Sequence, residues 1–514
     1  MRKIRFLITI FLGLFILAAC VAPEVTEPTI PTEPTIDLRA INPHNDVYYQ
    51  IFVRSFADSN GDGIGDLNGI RENLDYLEAL GITALWLLPI NPSPTYHGYN
   101  VTDYLDIHPH YGTMQDFQDL LDEAHQRGIK IVIDLVINHT SDQHPWFVSA
   151  RQSTSSPYRN YYVWNGNTAY ESFVGGMKDL NFNHPEVIQE IKNIMDFYLN
   201  MGVHGFRIDA AKHLFEGLNA DWNNTLALLD LNMHIKTNYP NSFIVSEVFD
   251  YNYLSLVDYY IGSDSVFNFH AAANIWDKVG NGNSRFLLVS NLKRAYDAFR
   301  DINPDFVDSP FIGNHDVNRV ASMSGFSNPG DGAQKLALAA RLLLTLPGSP
   351  FIYYGDELGM KGIRYEGTNV PGYGVVYDEY RRQPFLWGDA TKQTTWLPSD
   401  GSNDNTPSLL DQKNNPNSLF SIYQEMISLR RENPALMYGN SFLPYKNNSA
   451  NLQGFVRHYQ YDAVEQAVLV IHNLSLSTQT VDLSYQRLIY GNLSIPAYGT
   501  LILEIDPSLI GDYT

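Results

Sequence analysis

The stretch Gly205-Phe206-Arg207-Ile208-Asp209-Ala210-Ala211-Lys212-His213 joins a short apolar segment to a carboxylate. The segment predicts a buried strand that ends at Asp209 and is followed by helix-like sequence. Arg207 and Asp209 have the same parity, so on a strand their side chains project from one face. A guanidinium at this range keeps a carboxylate ionised, which suits a nucleophile and not a proton donor. Because the same pattern also forms simple ion pairs, a catalytic interpretation requires partner residues elsewhere in the chain.

Apolar strands alternate with helix-like sequence along most of the chain. The eight predicted strands are 47–52, 84–89, 130–139, 205–209, 243–247, 266–269, 311–316 and 351–354. Continuous apolar strands that alternate with helices indicate a parallel α/β sheet covered on both faces. The right-handed crossover rule leaves a doubly wound sheet or a closed barrel. Eight strand–helix units favour the closed form, a (β/α)8 TIM barrel.

The alternation stops at two places, and these set the expected domain boundaries. We expect the first part of the barrel at 41–139 and the second part at 185–435. Between them, after the third strand, residues 140–184 are rich in Tyr, Asn, Ser and Gly and predict an inserted, loop-rich domain. Short alternating segments in 436–514 predict a C-terminal antiparallel β-domain.

The first 40 residues predict export and tethering. Residues 1–20 have a basic head, an apolar segment shorter than a membrane span, and the ending Leu17-Ala18-Ala19-Cys20. This signal resembles that of bacterial lipoproteins, which implies lipidation of Cys20 and a place at the bacterial cell surface or outer envelope. The alternative is an ordinary secretory signal with an incidental cysteine. Residues 21–40 are rich in Pro, Thr and Glu and predict an extended tether.

Composition limits the partners. Cys20 is the only cysteine in 514 residues, so no disulfide can form within the chain. The formal net charge of −22, from 56 acidic and 34 basic residues, argues against nucleic acid or anionic lipid as a partner. No segment after the signal is long and apolar enough to cross a bilayer, so membrane contact is expected only through the lipid anchor. We expect a monomer.

An Asp/Asn/Gly loop follows the first strand and predicts a calcium site. Oxygen side chains stand at alternate positions with glycines between them, as a hard cation requires. The expected ligands are Asp58, Asn60, Asp62, Asp66 and the carbonyl of Ile64. Gly69 occupies the twelfth position, where an EF-hand has glutamate, so this is not a complete EF-hand. The alternative is a turn without metal.

Three carboxylates, Asp209, Glu247 and Asp316, occupy equivalent places at the C-terminal ends of predicted barrel strands. Barrel enzymes build their sites on this face. Converging carboxylates repel one another, so they suit acid–base chemistry better than stability. One ionised group can attack, one protonated group can donate to a leaving oxygen, and the third can orient the substrate. His139 and His315 lie on the same face and can hydrogen-bond sugar hydroxyls.

Four segments together resemble the signature regions of the α-amylase family, glycoside hydrolase family 13. They are Asp134-Leu-Val-Ile-Asn138-His139, the stretch from Gly205 to His213, Ser246-Glu247-Val248 and Gly313-Asn314-His315-Asp316. The resemblance covers about Val47 to Met360. It implies a retaining mechanism, a domain B after strand three and a terminal domain C.

The resemblance also implies a role for each matching residue. Asp209 would be the nucleophile, Glu247 the general acid/base and Asp316 the stabiliser of the transition state. The other implied contacts are with substrate. Arg207, His139 and His315 would bind the sugar in the cleaved subsite, Tyr99 would stack under it with His97 nearby, and Lys212 and His213 would line the leaving-group side.

Features of two subgroups are mixed. The Asp58–Asp66 loop resembles that of oligo-1,6-glucosidases, whereas Ala210 and Lys212-His213 resemble α-1,4-acting amylases. The run from Met177 to Asn181 is similar to a region of intermediate enzymes, but carries Lys178 where they commonly have proline. A second calcium, held by Asn138, Asp179 and the carbonyl of His213, is therefore an open alternative.

These observations predict an enzyme that hydrolyses mainly α-1,4 bonds of an α-glucan such as starch or maltooligosaccharides. An oligo-1,6-glucosidase or a transglycosylase is the alternative within the family, because those enzymes share the three carboxylates. A non-catalytic glucan-binding protein is the alternative of another class. The intact carboxylates, Arg207 and both histidines favour the enzyme.

Overall fold

The computed structural model describes residues 44–365, 367–370 and 372–514, and an eight-stranded parallel sheet forms its centre. The predicted signal with Cys20 and the predicted tether lie outside the described residues. The strands, numbered in chain order, are β1 (Tyr48–Ile51), β2 (Ala84–Leu87), β3 (Lys130–Leu135), β4 (Gly205–Ile208), β5 (Phe243–Ser246), β6 (Ser265–Phe267), β7 (Val307–Ser309) and β8 (Phe351–Tyr353).

The strand order is that of a closed barrel. Neighbours run β7-β6-β5-β4-β3-β2-β1-β8, and every pair is parallel. A parallel bridge between Phe311 and Phe351 joins the two ends of this series, and the Phe351 N–H donates to the Pro310 carbonyl at 2.9 Å. The predicted TIM barrel is confirmed.

The predicted seventh strand, 311–316, is wrong. The strand is β7, and its ladder with β6 ends at Ser309. Pro310 follows at once and has no N–H to donate to a neighbouring strand. The apolar pair Phe311-Ile312 is buried, but it belongs to the loop that leads from the barrel to Asp316. β7 contains the polar residues Asp308 and Ser309, so it lacks the continuous apolar pattern by which the other strands were predicted.

Aromatic side chains fill much of the barrel interior. Tyr48 stacks on Phe351 with ring centroids 4.3 Å apart, and Phe267 contacts Phe351 edge-on at 4.8 Å. Trp86 lies in the same cluster, and its ring faces the Arg207 guanidinium at 5.2 Å and the His315 ring at 5.7 Å. The packed interior therefore supports two polar residues of the site from below.

Helices cover the outside of the barrel. Gly81 and Gly202 end two of them in the left-handed conformation, and Thr113 forms a capping box with Asp116 at the start of another. In the described part of the chain, no helix is both long and apolar enough to cross a membrane. The α-helices are Val53–Phe56, Leu67–Arg71, Leu74–Leu80, Met114–Gln126, Pro145–Gln152, Pro185–Met201, Ala220–Asn238, Tyr259–Gly262, Phe269–Ile275, Leu288–Ile302, Gly332–Thr345, Leu409–Gln412, Leu419–Glu432, Pro434–Met437 and Ile510–Tyr513.

The segment between β3 and the helix Pro185–Met201 is an insertion built on short elements. Strand His139–Ser141 pairs antiparallel with Met177–Asp179, and Trp164–Asn165 pairs with Thr168–Ala169. The pairing of His139 with Asp179 brings the two ends of the insertion together beside the barrel mouth. The insertion predicted from composition therefore contains some regular structure.

A five-stranded antiparallel sheet forms the C-terminal part of the chain. Its strands are β9 (Leu443–Pro444), β10 (Leu452–Tyr461), β11 (Val464–Asn473), β12 (Arg487–Tyr490) and β13 (Thr500–Ile505), in the order β9-β10-β11-β13-β12. The predicted antiparallel domain is confirmed. The helix Pro434–Met437 runs across its predicted start at residue 436.

Candidate active site

Three predicted carboxylates meet in one cavity at the C-terminal end of the barrel. Asp209 directly follows β4 and Glu247 directly follows β5, whereas Asp316 stands in the loop well beyond β7. The cavity has a volume of about 500 Å³. It is lined by His97, Tyr99, His139, Phe173, Met177, Asp209, Ala210, Lys212, His213, Glu247, Phe249, Asp316, Asp378 and Arg382.

Arg207 contacts three carboxyl groups of the site. One guanidinium nitrogen, Nη1, lies 2.6 Å from Asp209 Oδ1 and 2.8 Å from Asp134 Oδ1, and Nη2 lies 2.9 Å from Glu247 Oε1. The parity argument for Arg207 and Asp209 therefore holds. Sequence reasoning did not foresee the contacts with Asp134 and Glu247, because they join neighbouring strands rather than neighbouring residues.

Two of the three carboxylates are held in opposite protonation states. Burial raises the pKa of Glu247 to about 8; Arg207 opposes the rise, and the charges of Asp209 and Asp316 add to it. Burial also raises the pKa of Asp316, but His315 and Arg382 outweigh it and hold that pKa well below its ordinary value. At neutral pH Glu247 therefore carries a proton and Asp316 does not.

Arg382 is a site residue that the sequence reasoning missed. Its Nη2 lies 3.1 Å from Asp316 Oδ1 and 2.9 Å from Asp378 Oδ2, and its Nη1 donates to the Tyr96 hydroxyl at 3.2 Å. Tyr96 in turn donates to Asp378. The i, i+4 spacing of Asp378 and Arg382 was visible in the sequence, but nothing there connected this pair with Asp316.

The predicted substrate-binding residues divide into two groups. His97, Tyr99, His139, Lys212 and His213 line the cavity. Arg207 and His315 are fully buried behind the carboxylates and are absent from the cavity lining. In this structure the charge of Arg207 and the hydrogen bonds of both residues act on the carboxylates, and their contacts with a sugar stay a prediction.

Apolar residues at the cavity mouth were also missed. The Phe249 ring is 45% exposed and rests on Phe269 with centroids 4.5 Å apart. Phe173, from the insertion, meets His213 edge-on at 5.2 Å. Exposed aromatic faces beside hydrogen-bonding groups suit the stacking of a sugar ring.

The Asp58–Asp66 loop is curled around its own acidic side chains. Asp58 accepts N–H groups from Asn60, Gly61 and Gly63, and Asp66 accepts those of Ser59 and Gly69. Among the residues described, no three His, Cys, Asp or Glu side chains are arranged to hold a metal. A cation here would therefore also need amide and carbonyl oxygens, as the predicted ligand set of this loop provides.

The second predicted metal position contains an unpartnered polar atom. Asn138 Oδ1 is buried and has no hydrogen-bond partner within the described residues. Asp179 accepts from the Ser172 N–H and hydroxyl, and burial raises its pKa to about 6. Lys178 pairs with Glu171, so its charge already has an anionic partner.

The α-amylase catalytic-domain family model matches residues 50–439, which include the barrel from within β1 onward and the insertion. The chain belongs to the α-amylase family. It is therefore a member of a family of glycoside hydrolases, as the four signature segments implied.

Relatives within the α-amylase family include hydrolases of more than one specificity. α-Amylase 3 of Dictyoglomus thermophilum is 40% identical over 84% of this chain and 85% of its own length. The oligo-1,6-glucosidase of Parageobacillus thermoglucosidasius is 30% identical over 84% of this chain and 90% of its own. The crystal structure of α-amylase from H. orenii matches with a TM-score of 0.79 and 36% identity, covering 90% of this chain and 99% of that one.

Proposed function

We propose that this protein is a retaining α-glucan hydrolase that cleaves mainly the α-1,4 bonds of starch or maltooligosaccharides by double displacement. The observation that carries the proposal is the pairing of two unlike carboxyl groups in one cavity. Glu247 has a pKa raised to about 8, and Asp209 Oδ1 accepts a hydrogen bond from Arg207 Nη1 at 2.6 Å. The first is suited to donate a proton and the second to attack.

The proposed reaction has two steps at the anomeric carbon. Asp209 attacks this carbon while Glu247 gives its proton to the leaving oxygen, so a glycosyl ester forms and the glycosidic bond breaks. Glu247, now a carboxylate, takes a proton from water, and the water oxygen displaces Asp209. Two inversions retain the configuration. Asp316, kept ionised by His315 and Arg382, accepts hydrogen bonds from sugar hydroxyls and stabilises the positive charge that develops on the sugar ring.

The proposal is tested by the products formed over time from soluble starch, maltotriose and isomaltose. Early mixed maltooligosaccharides from starch, with isomaltose untouched, support an α-1,4-acting amylase. Rapid glucose release from isomaltose, with little from starch, would make the protein an oligo-1,6-glucosidase. Longer products from maltotriose would make it a transglycosylase, and glucan binding without any cleavage would leave only a binding function.

We expect activity to fall as pH rises through about 8, because Glu247 must carry a proton to act as the acid. The pKa of this group is raised, so the active protonated form is present below that pH and is lost above it. The measurement is kcat/KM for a maltooligosaccharide between about pH 5 and pH 10. Undiminished kcat/KM at the upper end would contradict the assignment of Glu247 as acid.

We also propose that calcium binds the Asp58–Asp66 loop through Asp58, Asn60, Asp62, Asp66 and the Ile64 carbonyl, and that it stabilises the fold. A saturating chelator should lower the stability by on the order of 2 to 3 kcal/mol, seen as a lower Tm that added Ca²⁺ restores. The Asp62→Asn variant should bind less calcium and respond less to the chelator. An unchanged Tm, with no bound metal by elemental analysis, would contradict the site.

A second, open position for calcium is the group Asn138, Asp179 and the His213 carbonyl. The support is the unpartnered Oδ1 of Asn138, since a buried carbonyl oxygen without a donor is rare. Elemental analysis of the purified protein separates one bound calcium from two. The Asn138→Leu variant should lose only the second one.

Export and lipid anchoring through Cys20 remain a proposal that rests on residues 1–20. Cys20→Ser should move the protein from the membrane fraction to the soluble fraction after expression in a bacterium. Unchanged membrane association of the variant would contradict an anchor at Cys20.

A further inference from the structure

A buried glutamine contacts the far side of the histidine that supports Asp316. Gln50 lies in β1, is 1% exposed, and does not line the cavity. Its side-chain amide nitrogen Nε2 is 2.7 Å from His315 Nδ1. The other ring nitrogen, His315 Nε2, is 3.0 Å from Asp316 Oδ2 and 2.5 Å from the Tyr99 hydroxyl. A continuous series of hydrogen bonds therefore runs from β1 to a carboxylate of the site.

Proton counting assigns the direction of each bond in this series. An ionised carboxylate only accepts hydrogen bonds, so the contact with Asp316 requires a hydrogen on His315 Nε2. Burial lowers the pKa of His315, so the ring is neutral at pH 7 and carries a single ring hydrogen. Nδ1 must then be an acceptor, and the Gln50 amide provides the N–H that faces it. Tyr99 is free to donate its own hydrogen to Asp134 Oδ2 at 3.1 Å.

We propose that Gln50 is a positioning residue that fixes the Nε2–H tautomer of His315 and thereby holds Asp316 in its working orientation. The inference rests on the proposed role of Asp316. Gln50 is well placed for this, because its backbone is fixed in the sheet between β2 and β8 and its carbonyl accepts the Tyr354 N–H at 3.0 Å. A rigid strand transmits its position to the ring more accurately than a loop does.

Other charged groups near His315 do not replace this contact. The ionisable groups that face the ring are Asp316, Tyr99, Arg207 and Arg382. Arg382 donates to the His315 backbone carbonyl at 3.2 Å and not to the ring. Within the described residues, Gln50 is thus the only side chain recorded in a hydrogen bond with Nδ1.

The kinetic test compares Gln50→Met with a matched control, Gln412→Met. Methionine keeps the length of the side chain but lacks the amide N–H. Gln412 is also buried and bonds the Leu358 and Pro407 carbonyls, far from His315 in the chain. For histidines that ligate a metal, losing the group that hydrogen-bonds the other ring nitrogen typically costs about 10–100-fold in metal affinity or activity. We expect such a loss in kcat for Gln50→Met, little change in KM, and a Tm close to that of Gln412→Met. Unchanged kcat would overturn the proposal.

The tautomer itself is tested by the ring ¹⁵N shifts of His315 in protein labelled at histidine. The wild type should show a neutral ring protonated at Nε2. Gln50→Met should show mixed tautomers. Gln50→Glu, whose carboxylate attracts a second hydrogen to Nδ1, should show an imidazolium. A pure Nε2–H ring in Gln50→Met would overturn the proposal even if activity fell. A wild type without glucan-cleaving activity would contradict the proposed function instead, and the ¹⁵N spectra would still test the tautomer.

Discussion

Replacement of Asp209 by asparagine should reduce turnover by about 10⁴-fold or more, the usual range for loss of a nucleophile. The amide cannot form the glycosyl ester that the proposed first step requires. The fold should persist, because Arg207 keeps its contacts with Asp134 and Glu247. Sugar binding should also persist, because the residues that line the rest of the cavity are unchanged.

The measurement combines turnover of maltooligosaccharides, their affinity by calorimetry, and the Tm. Asp297→Asn is a suitable control, because Asp297 pairs with Lys293 and, at 3.8 Å, with Arg300 on the partly exposed face of one helix. This control should keep full activity. Near-normal turnover in Asp209→Asn would remove Asp209 from the role of nucleophile. Loss of both folding and binding would show that its contact with Arg207 is chiefly structural.

Local sequence was sufficient for the parts of the site that directly follow a strand. The parity of Arg207 and Asp209 and the position of Glu247 after β5 could be derived, because a short buried strand fixes the direction of its last side chains. Barrel topology then brings the C-terminal ends of β4 and β5 side by side. These features depend on a few residues and one fold rule.

Contacts between distant segments could not be derived in the same way. Asp316 lies in a loop whose path is set by Pro310 and by burial of Phe311, so its place relative to β7 was misjudged. Arg382 and Gln50 meet Asp316 and His315 only after the chain has closed the barrel. Nothing in the sequence distinguishes Gln50 from any other residue of a strand, and its contact with His315 is apparent only in the folded structure.

Replacement of Arg207 by methionine should have a large effect on both stability and activity. Arg207 is surrounded by Asp134, Asp209 and Glu247, each within 3 Å of a guanidinium nitrogen. Three carboxyl groups at such distances cannot all ionise without a cation between them. Arg207→Met should therefore destabilise the protein by about 3 to 5 kcal/mol. It should also abolish activity, because Asp209 would lose the 2.6 Å contact with the Arg207 guanidinium that holds its carboxylate in place.

The pH dependence of stability distinguishes loss of the Arg207 charge from loss of its packing. Burial already raises the pKa of Asp134 to about 7 and that of Glu247 to about 8, and without the guanidinium both pKa values in the folded protein rise further. A raised folded pKa contributes stability at low pH that is lost as pH rises. Both carboxyls are protonated below about pH 7 with or without Arg207, so the Tm deficit of Arg207→Met should widen as pH rises from about 7 to about 9. Arg300→Met, at a half-buried position on the helix Leu288–Ile302, is the control and should show a small, nearly constant deficit. An equally constant deficit for Arg207→Met would mean that its side chain stabilises the barrel by packing on Trp86 rather than by its charge.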